Sequence, residues 1–163
     1  MQLYESETWY RSDDGTLAKD GAIEHFQSLF RDASNIVGLT NVCQDLEGYL
    51  LGAGFEDVRV VVKKLPVGPW PKDPKKKELG RWFLEVCREG LKAYGLGLFT
   101  RVLGKSTEEA ELICEKASNE FGRDVHIYAA QYISHPLSQC VCVLTVSLRY
   151  FVEGRKPLAA EGN

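Results

Sequence analysis

Few side chains in this chain have both the type and the setting to do chemistry. His126 opens the run HIYAAQ, which reads as a strand over His126 to Gln131. An imidazole there can serve as a base, though the plainer reading is a strand histidine satisfied by hydrogen bonds. Glu5 falls near the end of a first expected strand, Met1 to Glu7, where the carboxyl edge of a sheet faces a ligand. Its plainer reading is a solvated edge carboxylate. Lys75, Lys76 and Lys77 could meet a phosphate, but as a solvated first helical turn they need no ligand. Gly95-Leu96-Gly97 follows a helical pattern rather than a strand, so it reads as a helix break and not as a phosphate or nucleoside loop. Cys43, Cys87, Cys114, Cys140 and Cys142 form no C-x-x-C pair and no Cys/His spacing suited to zinc. The first three fall at apolar helix positions, where packing is the default.

Bulk properties narrow the classes. With 163 residues the chain suits one domain or a large piece of one. Hydrophobic residues at 44% and charged residues at 26% are ordinary for a globular protein. A formal net charge of -3 argues against a nucleic-acid partner, which favours a basic surface. The start, MQLYESETWYRSDD, has no basic region followed by an apolar run, so it does not read as a secretion signal. No stretch approaches the roughly 20 apolar residues that span a bilayer, so no membrane role is expected. An odd cysteine count without a signal suggests reduced thiols in the cytosol or nucleus.

The elements that would position these residues read as α/β. Ser12-Asp13-Asp14-Gly15 is a turn. A helix follows from about Gly21, with Asp20 able to cap it and Gly38 able to end it. Ile23, Phe26, Leu29, Phe30, Ala33 and Val37 form its apolar face. Asn41 and Gln44 make a capping box for a second helix, which Gly54 stops. Val58 to Leu65 is a β-branched run whose continuous apolarity predicts a strand buried on both faces. Pro66 to Pro74 holds four prolines and is a stiff, extended loop. A long helix runs from about Lys75 to Leu96, with Leu79, Trp82, Phe83, Val86, Gly90 and Tyr94 along one face. Ser106 and Glu109 form another capping box, opening a helix through Ala110, Ile113, Cys114 and Ala117. No internal repeat or low-complexity tract is present.

Four stretches carry a resemblance. GPWPKDPKKKELG, Gly68 to Gly80, and LFTRVLGKSTEE, Leu98 to Glu109, closely resemble segments of the fungal LaeA-like S-adenosylmethionine-dependent methyltransferases. RSDDGTL, Arg11 to Leu17, looks like the family's segment after its fifth strand, and EGRKP, Glu153 to Pro157, resembles its final strand. The resemblance implies a class I methyltransferase fold, a mostly parallel sheet between helices with an antiparallel last strand. This chain would be its carboxy-terminal part, with the amino-terminal strands missing. It also implies methyl transfer from S-adenosylmethionine to a small-molecule acceptor. The donor is already activated, so such an enzyme mainly holds donor and acceptor in line, with a base where the acceptor must lose a proton.

The family's donor-binding glycine turn and acidic residue have no counterpart in these residues. They are expected upstream of Met1, and cofactor binding by this chain is not expected. What remains is the acceptor side. The resemblance makes Trp70, Tyr94 and Phe99 candidates for the acceptor wall, since aromatic faces suit flat apolar substrates, with Glu5 beside them. The plainer reading for each aromatic is packing.

The family ending would join Tyr132 directly to Phe151. Here Ile133 to Tyr150 intervenes, and a translated intron is the expected explanation. The insert would split one strand and carry a β-prone stretch from Cys140 to Leu148. Two functional readings follow. One is a methyltransferase of fungal secondary metabolism represented by an incomplete product, inactive alone and poorly soluble because its first strand is an exposed edge. The other is a non-catalytic interaction protein, pairing with another chain or a second copy by strand addition, with Phe26, Phe30, Trp82 and Phe83 supplying apolar contact area.

Overall fold

The computed structural model describes residues 4–134, apart from Thr40, Asp57 and Arg123. Three strands, β1 (Tyr4–Arg11), β2 (Val60–Val67) and β3 (Ile127–Ser134), form one sheet in the order β1-β3-β2. Four α-helices accompany them: α1 (Ala22–Ile36), α2 (Leu46–Gly52), α3 (Pro74–Arg101) and α4 (Thr107–Glu120). The α/β class expected from the sequence is borne out. Asp13, just past β1, and Lys64, in β2, both reach Tyr128 at the start of β3. The middle strand therefore runs against both neighbours, and β1 and β2 point the same way, which requires the long crossover through α1 and α2.

The chain divides into two compact units. The larger holds residues 8–40 and 64–129. Its core packs Ile23 and Phe26 of α1, Leu84, Leu91 and Phe99 of α3, and Ala110, Cys114 and Ala117 of α4. Of the described residues, the smaller holds 4–7, 41–56, 58–63 and 130–134. There Leu46 and Leu50 of α2 are buried beneath Phe55, Val58, Val60 and Tyr132. Cys43, Cys87 and Cys114 are buried free thiols, as their apolar positions predicted. Burial pushes Cys43 and Cys87 up to about 12, so neither is a thiolate at neutral pH.

Several local expectations change. β1 runs to Arg11 rather than stopping at Glu7, because Thr8, Trp9 and Tyr10 are β-prone and continue it. Asp20 does not cap α1. Gly21 holds the N-cap position, and Glu120 at the end of α4 accepts the Ile23 N–H at 2.9 Å instead. The Asn41/Gln44 box does not form. Asn41 Oδ1 accepts the Cys43 N–H at 3.1 Å, Gln44 Nε2 donates to Glu7 Oε1 at 3.1 Å, and a 3-10 turn over Cys43–Asp45 delays α2 to Leu46. β2 is not buried on both faces. It ends the strand order, and Val62 is 51% exposed. An outer position also tolerates Pro66 inside the strand.

The largest revision concerns α3, which runs unbroken through Gly95 and Gly97 to Arg101. A Cβ at Gly95 would lie 2.8 Å from the Phe26 ring and 3.0 Å from Cys114 Sγ, so this glycine lets three helices close rather than ending one. The buried face of α3 is Gly80, Leu84, Cys87, Leu91, Gly95 and Phe99, which leaves Trp82 71% exposed instead of inward. By contrast the Ser106/Glu109 capping box forms as expected, and Gly38 and Gly54 follow α1 and α2 with positive φ. Ile133 and Ser134 continue β3, while the rest of the interrupting stretch and Phe151 to Pro157 lie outside the described residues.

Candidate functional site

Three segments of the larger unit meet at the start of β3. The first is the turn after β1. Asp14 Oδ1 accepts from Ser12 Oγ at 2.7 Å, Thr16 Oγ1 at 2.8 Å and the Thr16 N–H at 3.1 Å. Gly15, at φ 76°, completes the turn in a conformation that favours glycine. The other Asp14 oxygen lies 2.6 Å from His126 Nδ1. Thr16 Oγ1 in turn accepts the His126 backbone N–H at 2.8 Å. Hydrogen bonds from Ser12, Thr16 and His126 hold the Asp14 carboxyl well below the usual carboxylate range. Its charge is therefore fixed, and so is the side of the imidazole that faces it.

Beside it, Asp13 accepts from Tyr128 Oη at 2.9 Å and from Lys64 Nζ at 2.5 Å. The Lys64 ammonium lies 4.6 Å from the centre of the Tyr128 ring. The lysine lowers the Asp13 carboxyl, helped by Tyr128, and Asp13 raises Lys64. Both charged groups are open to solvent, so their attraction orders the surface more than it stabilises the fold.

The third segment is the proline-rich loop. Its two bounding glycines touch: the Gly68 N–H donates to the Gly80 carbonyl at 3.0 Å, and a Cβ on Gly80 would lie 2.1 Å from the Gly68 oxygen. The motif is thus a hoop closed on the first turns of α3. Asp73 caps that helix by accepting the Lys76 N–H at 2.9 Å, and Pro74 begins it. Held this way, Trp70 donates its indole N–H to the Ile127 carbonyl at 3.0 Å. Its ring stacks on His126 at 5.4 Å between centroids and 29° between planes. The imidazole is clamped on one face by an indole and on one nitrogen by a carboxylate. Its side chain remains 43% exposed.

Of the residues singled out in the sequence, Trp70 and His126 come together. Trp70 is 39% exposed at the cluster. Tyr94 stands half exposed on α3, and Phe99 is fully buried against Phe26, with centroids 5.1 Å apart. Phe99 therefore packs the core and forms no open wall. Glu5 is the second residue of β1, at its amino end and in the smaller unit, because the strand continues to Arg11. Its placement at the carboxyl edge is corrected. Burial raises its carboxyl. Lys75, Lys76 and Lys77 stand on the first turn of α3, as expected.

Sequence reasoning missed Asp13, Asp14, Thr16, Lys64 and Tyr128 as parts of a site. The Asp14–Thr16 bonds are local and typical of an Asp turn, so that much was legible. The pairing of Asp14 with a histidine 112 positions later was not. Among the described residues no group of three or more His, Cys, Asp or Glu is placed to hold a metal ion, and no helix is long and apolar enough to cross a membrane.

Comparison with known proteins supplies the family. No family model and no solved structure matches the chain. Curated proteins do. "Methyltransferase pytC" of Aspergillus terreus is 34% identical over 128 residues, 77% of this chain and 40% of that protein. "Protein-methionine methyltransferase laeA" of Chaetomium globosum is 29% identical over 124 residues, 72% of this chain and 38% of its own length. "Secondary metabolism regulator laeA" of Monascus pilosus is 28% identical over 127 residues, 76% of this chain and 34% of that protein. The chain spans about two fifths or less of these relatives. Over the stretch they share, it belongs to the LaeA-like family of fungal methyltransferases.

Proposed function

We propose that this chain is the acceptor side of an S-adenosylmethionine-dependent methyltransferase of fungal secondary metabolism, corresponding to the carboxy-terminal part of its relatives. The observation that carries this reading is the Asp14–His126–Trp70 cluster beyond the carboxyl ends of β1 and β2. In open α/β sheets ligands bind beyond those ends. Trp70 offers an aromatic face to a flat small-molecule acceptor, and the charged groups around it fix the approach. Tyr94 is the second wall candidate, from its exposed place on α3.

The described residues do not fit the methyl donor. The turn after β1 and the loop after β2 hold one positive-φ glycine each, Gly15 and Gly68, not a closely spaced glycine run. Gly95-Leu96-Gly97 is helical. The chain alone is therefore inactive in this reading, and the donor is bound elsewhere in a complete enzyme. Buried reduced thiols at Cys43, Cys87 and Cys114 suit the cytosol or nucleus. Isothermal titration of the full chain with S-adenosylmethionine tests the reading: no heat of binding is expected at micromolar concentrations, and micromolar affinity overturns it.

A second reading has its own observation. β1 ends the described strand order, and an outer strand invites strand addition by another chain or a second copy. In that reading the chain is a non-catalytic interaction protein. Its contact area reduces to Trp82, since Phe26 is buried in the core and Phe30 and Phe83 pack against it. Co-purification with a second chain, together with hydrogen-exchange protection of Tyr4–Arg11 gained on pairing, favours this reading over the first.

A further inference from the structure

We infer that His126 is the proton acceptor of the acceptor site, with Asp14 as its positioning residue; the inference rests on the acceptor-side reading above. The geometry specifies one tautomer. An ionised Asp14 oxygen 2.6 Å from Nδ1 can only accept, so Nδ1 carries the proton, and in the neutral ring the lone pair is on Nε2. Nothing else among the described residues bonds the ring nitrogens. The ring cannot easily turn away. Trp70 covers one face, and Trp70 is tied to the Ile127 carbonyl next to the histidine itself. The His126 backbone is tied to Thr16, which also holds Asp14. Turn, loop and strand thus converge on one partly exposed imidazole, which a bland strand histidine does not need. The ligand class that suits it is a flat aromatic hydroxyl compound lying on the exposed part of the indole. Its O–H proton would pass to Nε2 while the oxygen keeps the electron pair. The resulting imidazolium would face the Asp14 carboxylate, leaving a phenolate at the site.

The probe is 4-nitrophenol, titrated into the full chain at a pH below its own ionisation and followed by its phenolate absorbance. The tautomer of His126 is read in parallel by nitrogen-15 NMR. Expected results are a protonated Nδ1 and a saturable phenolate band. H126Q should abolish the band. D14N should lower it about tenfold, the scale on which one adjacent opposite charge shifts a proton equilibrium. Circular dichroism confirms that both variants keep the fold. Binding without a phenolate band overturns the proton-acceptor role while leaving the aromatic wall of the proposed function intact. Absence of saturable binding overturns both. A neutral ring protonated at Nε2 instead of Nδ1 overturns the positioning role of Asp14, as does a band unchanged in D14N.

Discussion

The two ends of α3 use the same device for opposite purposes. Near its amino end, Gly80 leaves room for the Gly68 carbonyl, and this seats the loop that carries Trp70. Near its carboxyl end, Gly95 leaves room for Phe26 and Cys114, and this closes α1 and α4 around Phe99. Each glycine is defined by what a Cβ would strike. Yet the first contact is with backbone and leaves polar groups facing solvent, while the second is with apolar side chains and leaves nothing open. Trp70 and Phe99 look alike in sequence as candidate wall residues. Only the end of α3 that each lies near distinguishes a surface that can meet a ligand from a packed interior.

The larger effect is expected at the buried end of α3. Phe99→Ala should cost about 3–5 kcal/mol, as removal of a core phenylalanine does. Chemical denaturation should show that loss, and if Phe99 instead formed an open wall the loss would be far smaller. At the other end, Gly80→Ala forces a methyl group into the Gly68 carbonyl and should cost roughly 1–3 kcal/mol. Its distinguishing sign is a displaced Trp70 indole N–H resonance, since the loop must lift. A smaller effect lies beyond the carboxyl end of α3: Ser106→Ala removes the α4 cap and should cost about 1 kcal/mol. It should leave the Trp70 and His126 resonances unmoved, which separates general stability from the order of the site.

The smallest effect is electrostatic. The Asp14 carboxyl is held below its ordinary value of 3.8, so its contribution to stability is present above that pH and is lost as pH falls through the lowered value. A carbon-13 titration of the carboxyl should therefore still report a charged Asp14 where ordinary aspartates have begun to protonate. An ordinary titration curve would mean the turn is not formed in solution.

How much of this was legible in the sequence depended on range. The Ser106/Glu109 box, the Ser12–Gly15 turn and the buried cysteines rest on local chemistry or periodicity, and they were read correctly. Gly95 misled because a helical glycine lowers helix propensity by about 1 kcal/mol, an amount that helix packing readily overrides. The valine run of β2 misled because composition alone does not separate a central strand from an outer one. The register of α3 slipped by enough to turn Trp82 and Tyr94 outward. The cluster itself was illegible, since Asp14 and His126 meet only when β3 enters the sheet between β1 and β2.

The acceptor face centres on the loop-bearing end of α3. Chemical-shift mapping of the full chain with 4-nitrophenol tests it most directly. Saturable shifts are expected at the Trp70 indole, the His126 imidazole and Tyr128, with Phe99 unchanged. Shifts centred on Trp82 along the exposed face of α3, with Trp70 and His126 unmoved, would contradict it.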